Sequence, residues 1–323
     1  MLAAGHASRY AALVKSAVVA LCCASVLLAD DFSQDRAMAH IRVLAGLKDR
    51  SAGTTGESEG FRYVENALRE TGLEVRMESF TFFEEADKIV SANLVATTRD
   101  GKPDREVILS AHVDSAGTPG AQDNASGVAV LLELARTLSK LDLPFRLRFV
   151  FFGAEELGLL GSRAYVRQHR EDLRNCLFIF NMDSIGGKEI WIDMRDGVRN
   201  VSVPADGVRA LRDGPDRLTR SADGRWALSP KPPHNDASNV PPWLATAILD
   251  SIKELGYQIN QGRDASSDHR TFTDAGIVAT DIAIGGLKTH VLEDTPEKID
   301  PASLEKAARI VTGTVMRVRP NGK

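Results

Sequence analysis

The chain has 323 residues, 43% hydrophobic and 26% charged, a composition that fits a folded protein and excludes disorder, collagen and coiled coil. Lys plus Arg number 40 against 44 Asp plus Glu, a formal net charge of −4, and a nucleic-acid partner would need a basic face that this balance does not supply. Chains near 300 residues bury roughly three quarters of their unfolded surface, so one large catalytic domain is the expectation.

Residues 1–29 contain Arg9 and Lys15, no acidic residue, and the apolar run SAVVALCCASVLLA ahead of the acidic DDFSQD. This reads as a secretory signal peptide, or as an N-terminal anchor if it is retained, because the run is shorter than the roughly 20 residues that span a bilayer. Export to a periplasm or the exterior follows, with no stable membrane span once the leader is cleaved. Cys22 and Cys23 lie inside the leader, which leaves Cys176 alone and the mature chain without an internal disulfide.

Residues 30–323 read as one domain. The spacing of Ala39, Ile41, Val43, Leu44 and Leu47 predicts a helix over 35–47; SAGTTGESEG breaks the pattern, and a second helix covers 61–69 with Gly72 as its C-cap. Three strands follow, LEVRMESFTF, IVSANLVATT and EVILSAH. The rhythm then alternates: a helix over 125–141, a strand over 146–152, a helix over 156–169 and the strand CLFIFNMD. Such alternation means crossover connections and a largely parallel, buried sheet, hence an α/β fold. The segment 188–264, rich in loops such as KPPHND and NVPPW, reads as an insertion over one end of the sheet, with one helix over 243–255 that Trp243 anchors by packing. The strand GIVATDIAI, a loop bearing His290 and a helix over 301–318 complete the chain.

In open α/β sheets, ligands gather at the carboxyl ends of the strands. There the chain places His112 and Asp114 after EVILSAH, Asp123 in the next loop, Glu155 and Glu156 after the following strand, Asp183 after CLFIFNM and His290 after the last strand. Any one of them alone is ordinarily a cap or a hydrogen-bonded loop residue, and paired acids also suit a helix N-terminus. Together they offer a carboxylate and imidazole cage for one or two divalent ions; without a thiolate, zinc is favoured, with cobalt or manganese as substitutes. Adjacent Glu155 and Glu156 suit metal-assisted hydrolysis, in which one carboxylate ligates while its neighbour takes a proton from water.

AHVDS, GAQDNASG, FFGAEELGLLGS, NMDSIGG, SSDHRTF and THVLEDTPEKID, in this order, resemble the motifs of the secreted di-zinc aminopeptidases, and SAGTTGESEG resembles that family's entry segment. The resemblance extends over residues 35–318. It implies a three-layer sandwich with a central mixed, mostly parallel sheet flanked by helices, and removal of N-terminal residues from peptides with a free N-terminus. It implies two zinc ions per chain: Asp123 bridging, His112 and Asp183 completing one, Glu156 and His290 the other. Glu155 would be general base and then acid, Asp114 would orient His112, and Asp268, His269 and Asp294 would be supporting residues. The Asp123–Asn124 peptide would be cis. Thr289, Val291 and Leu292 depart from the usual residues around the last histidine. His234, His40 and His169 receive no role. Glutaminyl cyclases and other amide hydrolases on the same scaffold, and a non-catalytic binding module, are the alternatives.

Overall fold

Runs that are apolar on both faces, such as EVILSAH and RLRFVFF, belong in a sheet covered on both sides, and the computed structural model has that arrangement. It describes residues 31–84, 87–99, 104–194, 218–220, 226–228, 239–257, 260–261 and 267–319. Residues 1–29, expected to be a leader, and His234 lie outside these residues. In chain order the elements are α1 (Gln34–Gly46), α2 (Thr55–Arg69), β1 (Glu74–Glu84), β2 (Asp87–Thr97), β3 (Glu106–His112), α3 (Gly127–Leu138), β4 (Arg146–Phe152), α4 (Leu160–Gln168), β5 (Cys176–Ile185) and β6 (Glu189–Ile192). There follow β7 (Leu218–Arg220), β8 (Trp226–Leu228), α5 (Pro242–Glu254), β9 (Asn260–Gln261), α6 (His269–Asp274), β10 (Ala279–Gly285) and α7 (Pro301–Arg317).

Eight strands make one sheet in the order β1, β2, β4, β3, β5, β10, β6, β9. The central four run parallel, while β2 pairs antiparallel with β1 and β4, and β6 pairs antiparallel with β10. Successive residues of a strand face opposite layers. Val107, Leu109, Ala111, Phe149, Phe151, Phe178 and Phe180 therefore pack with α1, α2, α3, α5 and α7, while Ile108, Val150, Phe152 and Ile179 meet Tyr165 of α4 and Phe272 of α6. This is the three-layer α/β sandwich with a mixed, mostly parallel centre that the family resemblance implies. No helix among the described residues is long and apolar enough to cross a membrane.

Three boundaries differ from the sequence reading, each for a local reason. Helix α2 starts six residues early because Thr54 and Glu57 form a capping box: Glu57 N donates to Thr54 Oγ1 at 3.2 Å and Gly53 N donates to Glu57 Oε2 at 2.7 Å. Helix α4 starts at Leu160, four residues late, because Gly158 and Leu159 take φ of 99° and 65° and hold the preceding turn open. The ends of the 188–264 segment join the fold itself: β6 and β9 extend the sheet, and α5 buries Leu244, Ala245, Ile248 and Ile252 in the main core. Trp243 packs edge-on against Phe178 at 6.0 Å.

Of the histidines given no role, His40 Nδ1 lies 2.7 Å from the Tyr63 hydroxyl and His169 Nε2 lies 2.7 Å from Glu78 Oε2, so both tie helices to neighbours. At the end of the sheet away from the metal-type residues, Glu106 receives Arg146 at 3.0 Å and Arg148 at 2.9 Å, and Arg148 also donates to the Tyr165 hydroxyl. Buried charges kept in such pairs avoid the desolvation cost of an isolated ion.

Candidate metal centre

Parallel packing aligns the carboxyl ends of β3, β4, β5 and β10, and the metal-type side chains converge there. His112 closes β3. After β4 the chain turns through Ala154 at φ 52° into Glu155 and Glu156; Asp183 lies near the end of β5, just before Ser184 at φ 58°; His290, itself at φ 56°, stands in the loop after β10. Non-glycine residues in the left-handed region are uncommon, and here three of them stand at or beside the converging side chains. Asp123 sits in an irregular turn over Ala121–Ser126, and the Asp123–Asn124 peptide is cis.

His112 Nε2 lies 3.2 Å from Asp123 Oδ1 and 3.4 Å from Asp183 Oδ1. His290 Nε2 lies 3.1 Å from Asp123 Oδ2 and 3.0 Å from Glu156 Oε2. Two ligand triads result, His112 with Asp123 and Asp183, and Asp123 with Glu156 and His290; within each, one ligand atom per residue lies within 4.8 Å of the others. A third cluster, His112 with Glu155 and Glu156, meets the same limit.

The electrostatics of this cage call for cations. His112 is fully buried, and neither ring nitrogen has a well-formed hydrogen bond. Burial works against its charged form, yet Asp183, Glu155, Asp114 and Asp123 outweigh burial and hold the imidazole well above its ordinary pKa. His290, hydrogen-bonded to Asp123 and close to Glu156, is pushed up to about 9. Burial raises Glu156 to about 7, helped by Asp123, and raises Glu155 well above the carboxylate range. For Asp123 burial is overcome by the two histidines, which keep it far below that range. So many buried carboxylates with imidazole nitrogens between them fit a divalent metal, because a dication supplies the charge and the imidazole and carboxylate donors suit zinc.

A second ring of contacts fixes the ligands. Asp114 accepts from Glu155 N and Glu156 N, both at 3.1 Å, and lies 3.4 Å from His112 Nδ1, so one carboxylate joins the ends of β3 and β4. Asp294 accepts from Gln122 N at 2.7 Å and Asp123 N at 3.1 Å, clamping the turn that carries Asp123. His269 sits between Asp193, at 3.1 Å, and Asp281, at 3.7 Å. Asp268 is fully buried, and burial raises it to about 7.

Two residues that sequence reasoning did not single out lie beneath the cage, both in or beside SAGTTGESEG. Arg50 is fully buried and donates to four backbone carbonyls. Glu57 is 2% exposed and accepts from Ser91 Oγ at 2.6 Å, and burial raises it to about 7 against an unfolded value of 4.5. The native state therefore holds a proton that the unfolded chain has lost between those values, and stability falls as pH rises through that window. Glu57→Gln removes this titration, so its stability relative to wild type should grow by roughly 1–3 kcal/mol between pH 5 and 8. Urea unfolding at both pH values measures it, and a difference independent of pH would refute the assignment.

The fold and this cage define a class: an α/β protein with histidine and carboxylate side chains at metal-ligand spacing at the carboxyl ends of the parallel strands. Residues 93–209 match the sequence pattern of peptidase family M28. Aminopeptidase YwaD of Bacillus subtilis is 30% identical over 223 residues, covering 65% of this chain and 40% of the relative. The chain thus spans well under two thirds of the curated relatives it matches. Among solved structures, a zinc aminopeptidase from Bacillus subtilis superposes with a TM-score of 0.68 at 19% identity, covering 88% of this chain and 94% of that one. Porphyromonas gingivalis glutaminyl cyclase superposes with a TM-score of 0.67 at 22% identity, covering 88% and 98%. At these identities the structural likeness establishes the fold.

Proposed function

We propose that the protein is a zinc-dependent aminopeptidase that removes N-terminal residues from peptides and takes two zinc ions per chain. The observation that carries this reading is the pair of ligand triads sharing Asp123, with Glu155 close by and belonging to neither. His112 and Asp183 would hold one ion, Glu156 and His290 the other, and Asp123 both. Zinc, when bound, supplies Lewis-acid chemistry, polarising a carbonyl and lowering the pKa of water.

The chain's own groups do the rest. Glu155 takes a proton on a carboxylate oxygen from the attacking water and returns it to the nitrogen of the leaving amine. It is 8% exposed and burial raises its pKa well above the ordinary carboxylate value, a shift that favours keeping a proton once taken, while the charge of His112 works in the opposite direction. Asp114 fixes His112 and the backbone of Glu155 and Glu156 together. The leader at 1–29 supports activity outside the cytoplasm, a reading that falls if the protein is recovered only with the cytoplasmic fraction.

Matched peptides with free or acetylated N-termini test the reaction. Release of the first residue from free-amine peptides alone, abolished by a chelator and restored by zinc, is the expected result. Equal cleavage of both sets would overturn the amino-terminal reading. No cleavage of either, with cyclisation of N-terminal glutamine, would move the protein to the cyclase reaction.

A further inference from the structure

A fully buried guanidinium is expensive unless its surroundings repay it, and Arg50 is satisfied in an unusual way. Nε donates to Val113 O at 2.8 Å, Nη1 to Leu44 O at 3.0 Å and Pro119 O at 2.7 Å, and Nη2 to Gly120 O at 3.0 Å. Three of these four carbonyls belong to residues 113–120, the strap that leads from His112 on β3 to the turn carrying Asp123. The main chain of Arg50 holds the same strap: Arg50 N donates to Ser115 Oγ at 3.1 Å, Ser115 N donates to Arg50 O at 3.3 Å, and Ser115 Oγ donates to Thr118 O at 2.9 Å. Gly120 takes φ of 54°, and a Cβ there would stand 2.7 Å from Ser115 Cβ and 3.0 Å from Arg50 Nη2, so the strap closes over the guanidinium without room for a side chain. A planar fork with several donors suits such multi-carbonyl capture, and a lysine ammonium does not reproduce it.

Building on the zinc reading above, we propose that Arg50 is a positioning residue: its guanidinium clamps the 113–120 strap so that His112 and Asp123 stand at ligand spacing before an ion arrives. It touches neither ligand and acts through the backbone between them. Its charge would not help an ion to bind. Burial already pushes its pKa down to about 10, against the carboxylates Asp114, Asp294, Asp123 and Glu156, and a cation near the cage opposes a second cation. Geometry and charge therefore make opposite demands on variants, which allows the two to be separated.

The experiment measures zinc affinity by competition with a chromophoric chelator, with kcat and KM alongside, for wild type, Arg50→Lys, Arg50→Met, Ser115→Ala and Arg148→Met. If Arg50 positions the strap, Arg50→Lys and Arg50→Met both lose about 10- to 100-fold in zinc affinity, the usual scale for losing support behind a metal ligand. At saturating zinc kcat falls and KM stays within about twofold, the pattern of a displaced catalytic centre. Ser115→Ala, which loosens the strap without touching a charge, loses less but in the same direction, and it carries the test if the arginine variants do not fold. Arg148→Met removes a buried arginine from the other end of the sheet and should lower the melting temperature with zinc affinity unchanged, which separates positioning from general destabilisation. Unchanged affinity in Arg50→Lys together with tighter binding in Arg50→Met would show that only charge matters and would overturn the proposal. Wild-type protein that binds no zinc would instead overturn the functional reading on which it rests.

Discussion

Glu155→Gln is expected to lower kcat for peptide hydrolysis by about 10²- to 10⁴-fold, the range general acid–base catalysis contributes, with zinc content unchanged. The amide keeps the size of the side chain, and the backbone bond from Glu155 N to Asp114 holds the turn in place. What is lost is the capacity to take a proton from water and return it to the leaving amine. Metal analysis decides between two roles, because Glu155 also lies within ligand reach of His112 and Glu156. Activity within tenfold of wild type would remove Glu155 as the base, and loss of one zinc would make it a ligand.

Asp123→Asn should have the larger effect: zinc per chain falls from two to below one, and activity drops at least as far as in the Glu155 variant. The two carboxylate oxygens of Asp123 face different histidines, Oδ1 toward His112 and Oδ2 toward His290. An asparagine preserves the outline but carries no charge, and its NH₂ replaces an oxygen that faces one of the imidazoles. Asp183→Asn, which touches one triad only, should retain about one zinc. Metal analysis with circular dichroism to confirm folding tests both variants. Retention of two zinc ions by Asp123→Asn would show that the triads do not depend on a shared residue.

Much of this centre was legible from residue type at strand ends, because a parallel sheet brings the carboxyl ends of β3, β4, β5 and β10 to one edge, where their loops meet. His112, Glu155, Glu156, Asp183 and His290 needed only the strand assignments, which alternating apolar runs supplied. Arg50 was not legible in the same way. A lone arginine in a polar stretch reads as solvated, and its burial depends on carbonyls from residues up to 70 positions away. The start of α4 was misplaced because a continuous helical pattern hides the left-handed turn at Gly158 and Leu159. The segment 188–264 was read as an overhang because its loops dominate the composition, while the apolar face of α5 and the short strand β6 belong to the core and the sheet.

Strand order has a further consequence for the centre. Glu156 follows β4 and His290 follows β10, and these strands are separated in the sheet by β3 and β5. At about 4.8 Å per strand, the turn after β4 and the loop after β10 together close roughly 14 Å to bring His290 beside Glu156. His290 stands in a loop outside the sheet and its side chain is 56% exposed, whereas His112 is rooted in β3 with no exposure. The centre is accordingly asymmetric in its anchorage: one half is part of the sheet and inherits its rigidity, and the other rests on a loop whose tie to the Asp123 turn runs through Asp294.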